Sequence, residues 1–284
     1  MGSGTSSDNS DDDKKMEENE WAFCSLWARE TIEIKGCARA LANPLLAGDY
    51  FFNRASVEGC NDGIVPYEQV ASAFWEMGID CYLYFRSQPP PQGLCVADTM
   101  HVLRSEKKRA KEEGEKIIRS VHDGNNNNYA RVVECEPAKA MTWVDIFCES
   151  FSVPEWKDEV ARIVIAANAG KKQQPLDLLL AYRNGAPAGC AALFTMMTED
   201  NDGGDDDNGY GDGPIGLYCL GTVPAQRGRG VARSILDFSK ALSEKRGLLL
   251  FLQTLESENL VGLYKSAGFV TAYTKSICAV PRRT

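Results

Sequence analysis

The chain has 284 residues, 31 lysines and arginines against 40 aspartates and glutamates, and a formal net charge of -9. A hydrophobic fraction of 44% is enough to build a core and excludes a wholly disordered chain, while the length allows one large domain or two ordinary ones. The acidic balance excludes a general nucleic-acid binder, which needs a basic face.

Residues 1–20 carry net -5 and read as a flexible acidic tail over 1–19. The opening Met1-Gly2-Ser3-Gly4-Thr5-Ser6 fits the loose myristoylation pattern, but the acids behind it would repel anionic lipid. Residues 20–104 have globular composition. Val70, Phe74 and Met77 fall on one helical face, so Tyr67–Met77 is predicted as a helix that Gly78 ends. Cys81–Phe85 reads as a strand, Pro89-Pro90-Pro91 as a break, and Leu94–Leu103 as a second strand. Residues 105–128 are a charged and polar linker whose mixed signs suit solvent.

From Tyr129 the signals become regular. Arg131–Cys135 reads as a strand, followed by helices over Met141–Phe151 and Pro154–Asn168. Leu176–Tyr182 and Ala188–Met197 read as strands joined by an Asn184-Gly185 hairpin turn. Residues 198–213 carry net -7 with no base, which leaves +3 for the chain outside the two acidic segments. That remainder suits a phosphate-bearing ligand. Gly216–Val223 is the next strand. Val231, Ile235, Phe238 and Leu242 mark one face of a helix. Leu248–Leu252 is continuously apolar, as a central strand covered on both sides would be. Ser257–Ala267 reads as a short helix with Ser257 as N-cap, and Phe269–Ala279 as the final strand. The fold class is α/β with mixed strand order rather than a run of βαβ repeats.

The ten cysteines include no C-x-x-C pair, and several lie in apolar runs, as the free thiols of a cytosolic protein do. No hydrophobic leader precedes the chain, and no apolar run approaches the ~18 residues of a membrane span. A cytoplasmic protein without membrane or nucleic-acid partners is expected.

The informative segment is Thr222-Val223-Pro224-Ala225-Gln226-Arg227-Gly228-Arg229-Gly230-Val231-Ala232. A strand ends, a turn with two glycines follows and a helix begins. Such a turn points backbone N–H groups at one spot, at the positive end of a helix dipole. Glycine lets a ligand approach the backbone closely. Arg227, Arg229 and Arg233 add positive charge around it. Neither G-x-x-x-x-G-K-[ST] nor a full G-x-G-x-x-G is present.

Arg227, Gly230 and Ala232 fill the fixed positions of a pattern R/Q-x-x-G-x-G/A, with Pro224 three residues before Arg227. Downstream stand Asn259, Leu263-Tyr264 and Gly268-Phe269, with the apolar strand Leu248–Leu252 in between. In this order the two segments resemble the cofactor motifs of the GNAT (GCN5-related) N-acetyltransferase superfamily, and the resemblance covers 129–284. It implies a GNAT acyl-CoA N-acyltransferase fold, a central mixed sheet flanked by helices. Residues 20–104 resemble a degenerate or half GNAT unit. They have no R-x-x-G-x-G/A, so a packing role or one wall of the acceptor site is expected there.

The resemblance also implies roles. Backbone N–H groups of Gly228, Arg229, Gly230, Val231 and Ala232 would hold the pyrophosphate of acetyl-CoA, with Arg227 in the same turn. Backbone groups of Leu220 and Thr222 would pair with the pantetheine arm. Asn259 would hydrogen-bond the cofactor, and Tyr264 would stand near the thioester sulfur as proton donor to the leaving thiolate. No metal is implied. The acceptor would be a primary amine on a small molecule or peptide, and a homodimer is a compatible assembly. The alternative is a non-catalytic acetyl-CoA sensor. The general base is not legible: the strand Gly216-Leu217-Tyr218-Cys219-Leu220 has no acid. Tyr218 could relay a proton through water, and Glu134, Glu136 and Glu149 are unplaced carboxylates. His101 and His122 fall outside the domain. The acidic loop 198–213 reads as a solvated insertion or as an attractor of basic acceptors; its acids do not follow a calcium-loop pattern.

Overall fold

A computed structural model describes residues 6–34, 38–56, 67–86, 90, 94–106, 129–169, 176–196 and 213–281. The first five residues, nearly all of the 105–128 linker with His122, and the acidic loop up to residue 212 lie outside the described residues. In chain order the elements of the first half are α1 (Ser6–Trp27), β1 (Glu30–Ile34), β2 (Ala38–Ala42), β3 (Arg54–Ser56), α2 (Tyr67–Glu76), β4 (Tyr82–Arg86) and β5 (Cys95–Ser105). The second half begins with β6 (Arg131–Glu134), α3 (Ala140–Phe151), α4 (Lys157–Ala169), β7 (Leu176–Arg183), β8 (Ala186–Thr195) and β9 (Ile215–Thr222). It ends with α5 (Val231–Arg246), β10 (Leu250–Leu255), α6 (Val261–Ser266) and β11 (Phe269–Ala279).

The chain divides into two compact units. One comprises residues 1–20, 104–252 and 264–270, the other 21–103, 253–263 and 271–284. Strands β5, β10 and β11 contribute residues to both, so the division does not follow the linear chain.

In the first unit β6, β7, β8 and β9 are neighbours in that order, each antiparallel to the next, and β10 lies parallel to β9. Asn184 and Gly185 both adopt positive φ, the geometry of the predicted two-residue hairpin turn between β7 and β8. Leu178 to Ala181 and Cys190 to Phe194 are all buried, so these strands are covered on both faces. Helix α5 buries the predicted stripe Val231, Ile235, Phe238 and Leu242, and stops at Gly247, which takes the left-handed conformation.

In the second unit β1, β2 and β3 form an antiparallel meander. β3 then pairs in parallel with β4, which is antiparallel to β11. Helix α2 packs Val70, Ala71 and Phe74 into a core with Ala40, Ala42, Ala55, Leu83 and Phe85. The alanines of β2 and β3 let the helix lie close.

Two elements correct the sequence reading. The acidic segment 1–19 is not a structureless tail: Ser6–Trp27 is one helix. Its sequence hides a stripe: Met16, Asn19, Glu20, Phe23, Cys24 and Trp27 lie at helical spacing and are all buried. The acids Asp11, Asp12, Asp13, Glu17 and Glu18 fill the positions between, and two of them pair with Lys15 and Lys14 at i,i+4. The predicted helix Ser257–Ala267 is also shorter. A 3-10 turn spans Glu256–Glu258, and the α-helix starts only at Val261. Ser257 does not cap it; its hydroxyl donates to Asp98 Oδ2 at 2.5 Å.

Candidate functional site

Strand β9 and the turn behind it carry the site. The parallel register joins Leu250 to Ile215, Phe251 to Gly216 and Leu252 to Leu217, and goes no further. The rest of β9, from Tyr218 to Thr222, therefore has an edge that β10 does not fill. A bulge accompanies the change. Cys190 pairs with Gly221 but Ala192 with Tyr218, so β9 carries one extra residue, and Cys219 sits at φ 55. Such a bulge bends a strand and re-aims its backbone groups. Two side chains brace it: the Cys190 thiol donates to the Cys219 carbonyl at 3.6 Å, and Trp143 Nε1 donates to the Ala191 carbonyl at 2.9 Å.

Two glycines that the sequence reading passed over bring the flanking helices onto this strand end. A Cβ at Gly189 would meet Val231 Cγ1 at 2.7 Å and the Gly221 carbonyl at 2.8 Å, so its absence seats the first turn of α5 on β8. A Cβ at Gly221 would meet Ser150 Cβ at 2.7 Å, so its absence seats the last turn of α3 on β9. Gly189 pairs directly with Thr222, which puts it on the sheet face opposite to that of Gly221. The run Ala188-Gly189-Cys190-Ala191-Ala192 was the available signal, because small residues inside a strand mark close approach.

Beyond β9 a 3-10 turn spans Pro224–Gln226, and Gly228 and Gly230 take φ 70 and 81. Gly230 is the N-cap of α5, and the space at Gly228 is open: a Cβ there would meet nothing within 4 Å. The first-turn N–H groups of α5 have no partner within the helix and form the positive end of its dipole beside this turn. The result is a cradle for a phosphate-bearing group.

The arginines divide by task. Arg227 donates to the Ser150 carbonyl at 2.8 Å and the Thr222 carbonyl at 3.3 Å, tying the turn to α3 and β9. Arg233 pairs with Asp237 at 3.0 Å and donates to the Ser266 carbonyl at 3.1 Å. Arg183, which sequence did not single out, donates to the Arg229 carbonyl at 2.7 Å and fixes the turn from β7. The Arg229 side chain is exposed and makes no ion pair among the described residues, so it brings unneutralised charge to the turn.

Leu220 and Thr222 are half-buried on the open run of β9, and Val231 is buried beneath the turn while Ala232 is half-buried. Tyr264 is 5% exposed, with its ring edge-on to Phe269 at 6.5 Å between centroids. Asn259 is exposed at φ 55 and belongs to the second unit. Tyr218 has a partner on α1. Its hydroxyl donates to Asn19 Oδ1 at 2.9 Å, and Asn19 Nδ2 donates to the carbonyls of Pro214 at 2.8 Å and Phe194 at 3.2 Å. Asn19 is fully buried and so clips α1 to the start of β9. Of the unplaced carboxylates, Glu149 is exposed on α3, while Glu134 and Glu136 line a cavity beside β6. His101 contacts Glu256 in the second unit. Burial pushes the Cys190 and Cys148 thiols up, which keeps them protonated and disfavours a thiolate nucleophile. No group of three or more His, Cys, Asp or Glu among the described residues could hold a metal ion.

The comparisons with known proteins fit this geometry. Residues 140–269 match the model of the acetyltransferase (GNAT) family. This segment is similar to GNAT-family domains. It contains β9, the whole turn, α5 and Tyr264. No curated protein matches the chain. Among solved structures, a GCN5-related N-acetyltransferase from Kribbella flavida is 12% identical with a TM-score of 0.57, over 95% of this chain and 96% of that one. A GCN5-related N-acetyltransferase from Sphaerobacter thermophilus is 12% identical with a TM-score of 0.56, over 88% of this chain and 82% of that one. A functionally unknown conserved protein from Staphylococcus epidermidis is 11% identical with a TM-score of 0.57, over 88% of this chain and 93% of that one. At such identities the likeness is one of fold, and it extends well beyond the GNAT segment. No helix among the described residues is long and apolar enough to cross a membrane.

Proposed function

We propose that the protein transfers an acetyl group from acetyl-CoA to a primary amine. The observation that carries this reading is the open run of β9 leading into a glycine turn at the N-terminus of α5, inside a segment similar to GNAT-family domains. Acetyl-CoA offers two phosphate groups in a row, a peptide-like arm and a reactive thioester. The N–H groups of Gly228 to Ala232 suit the pyrophosphate, and Arg229 adds charge beside it. Backbone groups of Leu220 and its neighbours suit the amides of the arm, as an added strand would.

Tyr264 is the proposed proton donor. When bound, the cosubstrate supplies an activated acetyl carbonyl and a thiolate leaving group. A phenol held rigidly by burial can place its proton on that sulfur as the bond to carbon breaks. The carboxylate-free strand Gly216–Leu220 leaves deprotonation of the amine to a group elsewhere or to water.

The test is free-thiol release from acetyl-CoA across a panel of small amines, amino acids, polyamines and peptide N-termini. Amine-dependent release with at least one acceptor class is expected. Calorimetric binding of acetyl-CoA with no turnover on any amine would replace the enzyme reading by the sensor reading.

A further inference from the structure

A cavity of about 610 Å³ lies beside β6, away from the phosphate turn but floored by the far half of the same helix, α5. Its volume falls in the range of small-molecule sites, which run to roughly 300–1,000 Å³. Leu180, Phe238 and Leu242 form a buried apolar floor with half-buried Val133 beside them. Around this floor stand three cations, Arg131, Lys139 and Lys245, and two carboxylates, Glu134 and Glu136.

The five charges are all exposed, and none makes an ion pair among the described residues. Arg131 and Lys139 instead both lie over the ring of Tyr182, at 5.3 and 5.5 Å from its centroid. A ligand can meet each of these charges without breaking an existing bridge, so its attraction to them has only their hydration to overcome.

The pattern selects a ligand class. A plain carboxylate would be attracted by three cations but repelled by Glu134 and Glu136. A plain amine would suffer the reverse. A molecule with a carboxylate, an ammonium and an apolar body satisfies the cations, the glutamates and the floor together. We propose that this cavity binds a small apolar zwitterion of the size of a hydrophobic amino acid or dipeptide. The proposal is independent of the acetyltransferase reading, because it uses none of the residues of the phosphate turn.

The test is calorimetric titration of the full-length protein with four probes: L-leucine, L-leucyl-L-leucine, isovalerate and isoamylamine. At least one zwitterion is expected to bind, and to bind at least about tenfold more tightly than the acid or the amine. Lys245→Gln and Arg131→Gln are each expected to weaken it by about tenfold while leaving the ligand-free Tm unchanged. Lys245 is exposed on a helix surface, so this variant reads the site even if Arg131→Gln perturbs the short strand β6. Absence of binding by both zwitterions overturns the proposal. So does equal affinity for isovalerate, or undiminished binding by both variants.

Discussion

Both units contain the same connection, a strand, a helix and a second strand parallel to the first. In one, β9 leads through α5 to β10; in the other, β3 leads through α2 to β4. The pairing differs. β3 has three residues and all three pair with β4, whereas β9 has eight and β10 takes only the first three. Behind β9 stands a turn with two glycines at positive φ and an arginine without an ion pair among the described residues; the segment before α2 contains no R-x-x-G-x-G/A. A parallel crossover alone is thus scaffold. It becomes a candidate ligand site where pairing stops early, a bulge opens the edge and a helix start lies bare at the end of it.

If this contrast is right, variants in the two crossovers separate activity from stability. The largest effect is expected for Tyr264→Phe, which should lower kcat by about a hundredfold, as loss of a general acid does, with little change in acetyl-CoA affinity. Steady-state thiol release beside calorimetry reads both quantities; equal turnover removes Tyr264 from the chemistry. Gly189→Val comes next. Its added carbons meet Val231 and the Gly221 backbone, so α5 must shift, and acetyl-CoA affinity should fall about tenfold or more with a drop in Tm.

Val70→Ala is the counterpart in α2. It empties a fully buried site and should cost about 2 kcal/mol in denaturant unfolding, while leaving acetyl-CoA affinity unchanged. A matched loss of affinity would erase the distinction between the two crossovers. A comparable effect, confined to a pH window, concerns Asp49, whose pKa burial raises from 3.8 to about 6 against two backbone N–H bonds, with Glu258 adding repulsion. A raised pKa means that the folded state holds the proton more tightly. Its stabilising contribution is present below pH 3.8 and lost as pH rises through about 6. Asp49→Asn should therefore gain about 2 kcal/mol relative to wild type between pH 4 and pH 8, measured by urea unfolding at both. An unchanged difference contradicts the burial argument.

Much of the first unit was legible because its elements are long and strongly patterned. The helix stripe Val231, Ile235, Phe238 and Leu242 is buried as read; Phe269–Ala279, most of it in the second unit, is likewise the last strand at the predicted bounds. The Asn184-Gly185 turn was readable from two residues, since few others tolerate positive φ in succession. β1, β2 and β3 were not, because they are short and rich in alanine and charge, so that tertiary pairing rather than propensity makes them strands. Helix α1 was hidden because its buried stripe is narrow and polar residues, many of them acids, crowd its first half. At the site, the glycine turn was legible as a pattern. What holds it in place, Arg183 on a carbonyl and Gly189 under α5, depends on contacts between elements far apart in the chain.

The central claim is that the turn between β9 and α5 holds acetyl-CoA. Isothermal titration of acetyl-CoA into the wild-type chain and into Gly230→Val tests it most directly. Gly230 stands at φ 81, where a β-branched residue is strained, so the substitution must shift the turn. A single saturable site in the wild type, weakened by about a hundredfold or more in the variant, is the predicted result. No binding by the wild type, or equal binding by the variant, would contradict the account.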